Sequence, residues 1–281
     1  RSSAASDVYK RQVMANSTNK ISIKLSSVID DLKHPIENES YRSKCKEILD
    51  LEGVLVLKDF LHSSAIDSIL SEAKDQEHLA YYCTNNHNVY LEPSDESLSL
   101  NHARNRTVVS SKGCITDNQV PIHSPLRALY DSEEFKGFLC SVLDEKALYK
   151  YDDNLSSINI HYANEGQELG WHFDNSSFAI TLLIQKPNEG GSFEYIRDFR
   201  DSDNNVMNYE GVSDLLDDKF SPNILSMDSG SLVLFRGRNA VHRVTPTKGN
   251  RVRILSVLAY NSAPGIQLSE SARMTFYGKL N

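Results

Sequence analysis

Two short segments hold the residue types from which a reactive metal centre is built. Gly170-Trp171-His172-Phe173-Asp174 sets a histidine and a carboxylate two positions apart, and Ala240-Val241-His242-Arg243-Val244 supplies a second histidine seventy residues after the first. On an extended segment, residues two apart point to the same side. A distant histidine then completes one face of an octahedral metal. This two-histidine, one-carboxylate triad leaves three adjacent positions open and is used by non-haem Fe(II) oxygenases. His-x-Asp alone is a common tripeptide. Arg253 adds weight, because it lies eleven residues past His242 inside the apolar run Val252 to Leu258. A buried arginine needs an anion, and the far carboxylate of a 2-oxoacid cosubstrate would be held bidentately. Arg251 shares that strand face but abuts the Gly249-Asn250 turn, so Arg253 is the expected anchor. A zinc hydrolase with the same three ligands and a water is chemically possible, yet it would leave Arg253 unexplained.

These residues carry a resemblance to the Fe(II)/2-oxoglutarate-dependent dioxygenases, whose signature is His-x-Asp, a distal His and an Arg shortly after it. More narrowly, four motifs resemble the branch of free-amino-acid radical halogenases and their hydroxylating relatives. They are Gly166-Gln167-Glu168-Leu169-Gly170-Trp171-His172-Phe173-Asp174, Gly190-Gly191-Ser192-Phe193-Glu194-Tyr195, Leu234-Phe235-Arg236-Gly237-Arg238 and His242-Arg243-Val244-Thr245-Pro246. The similarity is dense from about Asn159 to the C-terminus and thinner before it.

The resemblance implies Fe(II), 2-oxoglutarate as cosubstrate, and O2. It makes His172, Asp174 and His242 the metal-binding and catalytic residues. The implied reaction oxidises a substrate C–H bond, with succinate and CO2 as coproducts. Tyr162 stands ten residues before His172, where related oxygenases place a cosubstrate-contacting tyrosine; a core tyrosine beside Ile158 and Ile160 is the other reading. In the halogenating relatives the third ligand position is a glycine, and chloride fills the vacancy. Here the residue is Asp174, so hydroxylation is expected, or a second oxidation giving a double bond or ring, and chlorination is not. The branch implies a free amino acid or amino-acid-derived substrate, with Asn175 and Arg104 as candidate contacts. Nothing in the sequence separates hydroxylation from desaturation or ring closure, because that outcome depends on angstrom-scale positioning. A non-catalytic jelly-roll binding module is the remaining class, and the intact His172, Asp174, His242 and Arg253 argue against it.

The elements that must hold these residues follow from periodicity. Tyr41, Cys45, Ile48 and Leu49 have helical spacing, with Gly53 as the stop, and Val54 to Leu57 reads as a strand. A second helix follows the polar start His62-Ser63-Ser64, and Leu126 to Leu143 returns to helical spacing. Tyr81 to Gly113 is polar and irregular, and reads as a lid or binding loop. Arg104 and Arg106 sit in it, either solvated or with one of them clamping a substrate carboxylate. Leu155 to Ala163, Phe178 to Gln185, Phe193 to Ile196, Ser231 to Phe235 and Val252 to Tyr260 read as strands. Asp198 to Pro222 is an acidic insertion at the barrel rim. Late short strands after helices predict a mainly β fold with flanking α: a double-stranded β-helix, or jelly roll, with N-terminal helices.

Of the nine histidines, the six other than His161, His172 and His242 lack a partner at ligand spacing. His161 directly precedes Tyr162 and is expected on the opposite strand face, in a structural role. Residues 1–13 read as a non-native leader, since Asp7 to Gln12 resembles a translated sequencing adaptor and Met14 offers a start. Residues 14–145 read as an N-terminal helical and substrate-covering region and 146–281 as the catalytic core, in one compact domain. A net charge of −8 without a Lys/Arg block argues against nucleic acid. No apolar run approaches the roughly 20 residues that span a bilayer. Scattered Cys45, Cys83, Cys114 and Cys140, with no CxxC, are expected as reduced thiols in a cytoplasmic enzyme.

Overall fold

Helices lead the chain and strands dominate its second half. The computed structural model describes residues 23–281, so the expected leader and Met14 lie outside the described residues. Asn38 accepts from the Tyr41 amide to start the first helix, Glu39–Glu52 (α1), and Gly53 ends it at φ 69°. Val54–Leu57 (β1) and Ser63–Gln76 (α2) follow. The expected single helix over 126–143 is two helices, Pro125–Tyr130 (α3) and Glu133–Leu143 (α4). Ser132 breaks them apart by accepting from the Phe135 amide as a fresh N-cap.

The stretch read as an irregular lid is strand at both ends. Tyr81–Asn88 (β2) and Thr107–Ile115 (β3) form a long antiparallel hairpin paired from Tyr81↔Cys114 to Asn88↔Thr107. Only residues 89–106 between them are loop. Ile158–Ala163 (β4), Leu169–His172 (β5), Ala179–Gln185 (β6), Glu189–Gly190 (β7) and Phe193–Ile196 (β8) come next. After the helix Tyr209–Leu216 (α5) the chain adds Asn223–Leu225 (β9), Leu232–Phe235 (β10), Val241–Val244 (β11), Thr247–Lys248 (β12) and Arg253–Leu258 (β13). A last helix, Glu270–Tyr277 (α6), closes the chain.

Eleven strands form one antiparallel sheet in the order β1-β10-β6-β13-β4-β3-β5-β11-β8-β9, with β2 beside β3, while β7 and β12 make a separate pair. The sheet curls over, bringing Phe193, Tyr195 and Leu225 of one end against Val54, Val233 and Phe235 of the other. This is the expected jelly roll, and the hairpin and β1 belong to its sheet as fully as the later strands do. One face of the larger layer carries Ile180, Leu182, Leu234, Ile254 and Tyr162 into the main core, where α1 to α4 cover it with Leu49, Ile69, Leu126 and Phe138. The opposite face lines the interior of the roll. All four cysteines are free. Among the described residues no helix is long and apolar enough to cross a membrane.

Candidate active site

β5 and β11 run antiparallel with His172 directly opposite His242, but the next pairing joins Val244 to Leu169, so β5 accommodates an extra residue. Such a bulge twists a strand and re-aims a side chain. Gly170 sits within it. A Cβ at Gly170 would lie 2.6 Å from the Val109 carbonyl oxygen and 2.7 Å from Val108, so only glycine lets β3 approach β5 here. The chain then turns off the strand, and the Asp174 amide donates to the Gly237 carbonyl at 3.1 Å. Gly237 is the floor under the carboxylate: a Cβ there would fall 1.9 Å from Asp174 Oδ2.

Each imidazole is oriented by its own strand. His172 Nδ1 donates to the Gly170 carbonyl at 2.7 Å, and His242 Nδ1 donates to the Ala240 carbonyl at 3.0 Å. A carbonyl only accepts, so each Nδ1 carries the hydrogen and each Nε2 presents a lone pair. Asp174 Oδ1 lies 3.9 Å from His172 Nε2 and 3.5 Å from His242 Nε2. Candidate donor atoms of the three residues all lie within 4.8 Å of one another. Phe193 stacks on His242 at 5.4 Å and Phe235 meets it edge-on at 4.9 Å, giving the centre an apolar wall.

Burial, and then the neighbouring His242, push His172 down to about 3. Burial alone would raise Asp174, but His242, His172 and Arg200 close by outweigh it and hold the carboxyl below its ordinary range. The result is a neutral His172 imidazole beside an ionised carboxylate, the protonation states that metal binding requires. Asp174 Oδ2 is buried without a hydrogen-bond partner among the described residues. Two nitrogen donors and one oxygen donor on one side, with an unsatisfied carboxylate oxygen, fit Fe(II) with an open opposite face.

Arg253, at 6% exposure, lies buried on β13. Its guanidinium is pushed down to about 10 by burial, and no described carboxylate pairs with it. The Gly190-Gly191 turn explains how the side chain is packed: at φ 59°, a Cβ on Gly191 would come 2.8 Å from Arg253 Cδ. Arg251 is exposed at the turn.

Tyr162 requires a correction. It pairs with Ile254 and is fully buried in the main core, where its hydroxyl donates to the Ala73 carbonyl at 2.7 Å. Its neighbour His161 pairs with Leu255, two residues from Arg253, and so shares the face of Arg253. The two faces of β4 are the reverse of the expectation. Tyr162 is the core residue, and His161 looks into the roll.

The two loop arginines part company. Arg106 donates to the Ser213 and Leu216 carbonyls at the end of α5 and pairs with Asp217 at 2.8 Å, tying the 89–106 loop to the 198–222 insertion. Arg104 pairs with Glu92 at 2.6 Å, while its Nη1 is buried without a partner among the described residues. Asn175 is exposed beside Asp174. The insertion, read only as an acidic rim segment, folds α5 onto the outer face of β5 and β11, where Val212 and Leu215 meet Trp171, Phe173 and Val241. It also delivers Arg200, which had no signal in the sequence. The Arg200 guanidinium lies 4.1 Å over the Phe173 ring, and its Nε donates to the Arg238 carbonyl at 2.8 Å. Gly237 was inside a quoted motif, but its role as the seat of a carboxylate needed the fold.

Comparison with known proteins supplies three findings. The sequence profile of the halogenase D family matches residues 37–275. Among curated proteins no sequence matches. Among solved structures, the chain resembles a non-haem alpha-ketoglutarate-dependent carbocyclase of nogalamycin biosynthesis, with a TM-score of 0.57, 12% identity, and coverage of 85% of this chain and 92% of that one. An alpha-ketoglutarate-dependent epimerase of the same biosynthesis matches with a TM-score of 0.53 at 12% identity, over 79% of this chain and 81% of its own. An oxidoreductase of the 2OG-Fe(II) oxygenase family from Burkholderia pseudomallei matches with a TM-score of 0.50 at 14% identity, covering 82% and 95%. At these identities the structures share the fold.

Proposed function

The chain belongs to the halogenase D family and is an Fe(II)/2-oxoglutarate oxygenase, and from that premise we propose that it hydroxylates an unactivated C–H bond of a free amino acid or a close derivative. The observation that carries the choice of hydroxylation is Asp174. Its carboxylate stands at the third ligand position, ionised, seated on Gly237, with one buried oxygen unpartnered among the described residues. A carboxylate that holds this coordination position denies it to chloride.

Iron with 2-oxoglutarate and O2, when bound, supplies the oxidising power and releases succinate and CO2. The chain does the rest. His172 and His242 present Nε2 because their Nδ1 hydrogens are held by backbone carbonyls. Arg253, buried with no counter-charge among the described residues, binds the far carboxylate of 2-oxoglutarate. Phe193 and Phe235 keep water from the His242 side. Arg104, with its buried Nη1 free of any described partner, is suited to a substrate carboxylate, and exposed Asn175 to a second polar group.

The test is turnover of a pooled library of free amino acids with Fe(II), 2-oxoglutarate and high chloride, read by mass spectrometry and succinate release. The expected product gains one oxygen atom. A chlorine isotope pattern from the unmutated protein, or succinate release indifferent to every amino acid, overturns the proposal.

A further inference from the structure

Lys112, on β3, faces the interior of the roll, and no described carboxylate pairs with it. Its Nζ lies 3.1 Å from His161 Nε2 and 5.5 Å from the centre of the Phe276 ring, with the thiols of Cys83 and Cys114 nearby. Burial lowers its ammonium pKa, so the site holds a cation at a cost that no described carboxylate offsets. Arg253 is in the same condition on β13.

The sheet register relates the two. Arg253 pairs with Ala163 on β4. On the other side of β4, Gly113 pairs with Tyr162, so Lys112 stands one step on, beside Ala163. The two cations therefore flank one alanine on the same face, their Cα atoms roughly 10 Å apart, two strand spacings. Ala163 fills little of the gap between two long side chains. His161, the next residue on that face, is held well down by burial, then by Lys112 and Arg253, so it stays a neutral hydrogen-bonding group between them. One small anion suits such a pair of arms, and no described carboxylate pairs with either.

We propose that Lys112 is a second cationic anchor for the far carboxylate of 2-oxoglutarate, gripping it from the opposite side of Ala163 to Arg253, with His161 between. This rests on the reading of Arg253 as the first anchor, and the test separates the two. The probes are 2-oxoglutarate and 2-oxopentanoate, which share the ketoacid end and differ in the far carboxylate. Each is titrated into the Fe(II) protein under nitrogen and read by the visible charge-transfer band. Wild type should prefer 2-oxoglutarate, and Arg253→Met should lose most of that preference. Lys112→Met should weaken 2-oxoglutarate by about tenfold or more, the scale of one charge-assisted hydrogen bond, while 2-oxopentanoate is unchanged. Any folding defect would weaken both acids together, and such a parallel loss overturns the proposal. So does a Lys112→Met protein that keeps its full preference while Arg253→Met loses it. A wild type indifferent between the two acids overturns the cosubstrate reading itself.

Discussion

His172 and His242 stand directly opposite each other on neighbouring antiparallel strands, their ring centres 4.2 Å apart. Two imidazoles so placed, each with Nδ1 satisfied by its own backbone, aim both Nε2 atoms at one point, and Asp174 Oδ1 is the third group there. His172→Ala removes one of the three, and iron binding, titrated under nitrogen, should be abolished. Binding at full strength would remove His172 from the ligand set.

The two arginines at the start of β13 make a matched pair. Arg253 is buried and Arg251 is exposed. Breaking a buried charge pair costs about 3–5 kcal/mol, whereas an exposed substitution stays within about 0.5 kcal/mol. Arg253→Ala should raise the KM for 2-oxoglutarate by two or more orders of magnitude on that scale, with Arg251→Ala near wild type. The reverse ranking in steady-state kinetics would show that the anchor is Arg251.

Gly237 has no positive φ, so alanine is conformationally acceptable there and any effect is steric. Its Cβ would occupy the place of Asp174 Oδ2. Gly237→Ala should lower iron affinity about 10–100-fold, as groups that orient a ligand usually do, while circular dichroism shows the fold retained. Unchanged affinity would mean that Asp174 binds from another position.

Tyr162→Phe separates a core role from a cosubstrate role. Loss of the bond to the Ala73 carbonyl should cost about 1 kcal/mol of stability, measured by urea unfolding. The affinity for 2-oxoglutarate should not change. A weakened affinity with unaltered stability would return Tyr162 to the cosubstrate.

What was legible in the sequence was what depends on local spacing. His172 and Asp174 declare themselves because period two puts them on one side, and Arg253 because a charge inside an apolar run must be explained. The faces of β4 are ambiguous in sequence because Ile158, Ile160 and Tyr162 look like the important side of that strand. They serve the helix-covered core, and the opposite side carries Asn159, His161 and Ala163. The β2–β3 hairpin is hidden in the sequence for a related reason. Strands lining a polar interior on one side and solvent on the other show no apolar alternation. Gly237 and Arg200 are long-range neighbours of Asp174 brought up by separate loops, and no window of sequence contains that encounter.

Both ligand histidines are held by carbonyls of the main chain, at Gly170 and Ala240, rather than by other side chains. No substitution can delete a carbonyl. The orientation of the imidazoles is therefore sheltered from drift in a way that a carboxylate-supported histidine is not. Substitutions in the side chains around the metal centre leave these two hydrogen bonds in place. The vulnerable spot is elsewhere, at a glycine where a single added methyl group would unseat the third ligand.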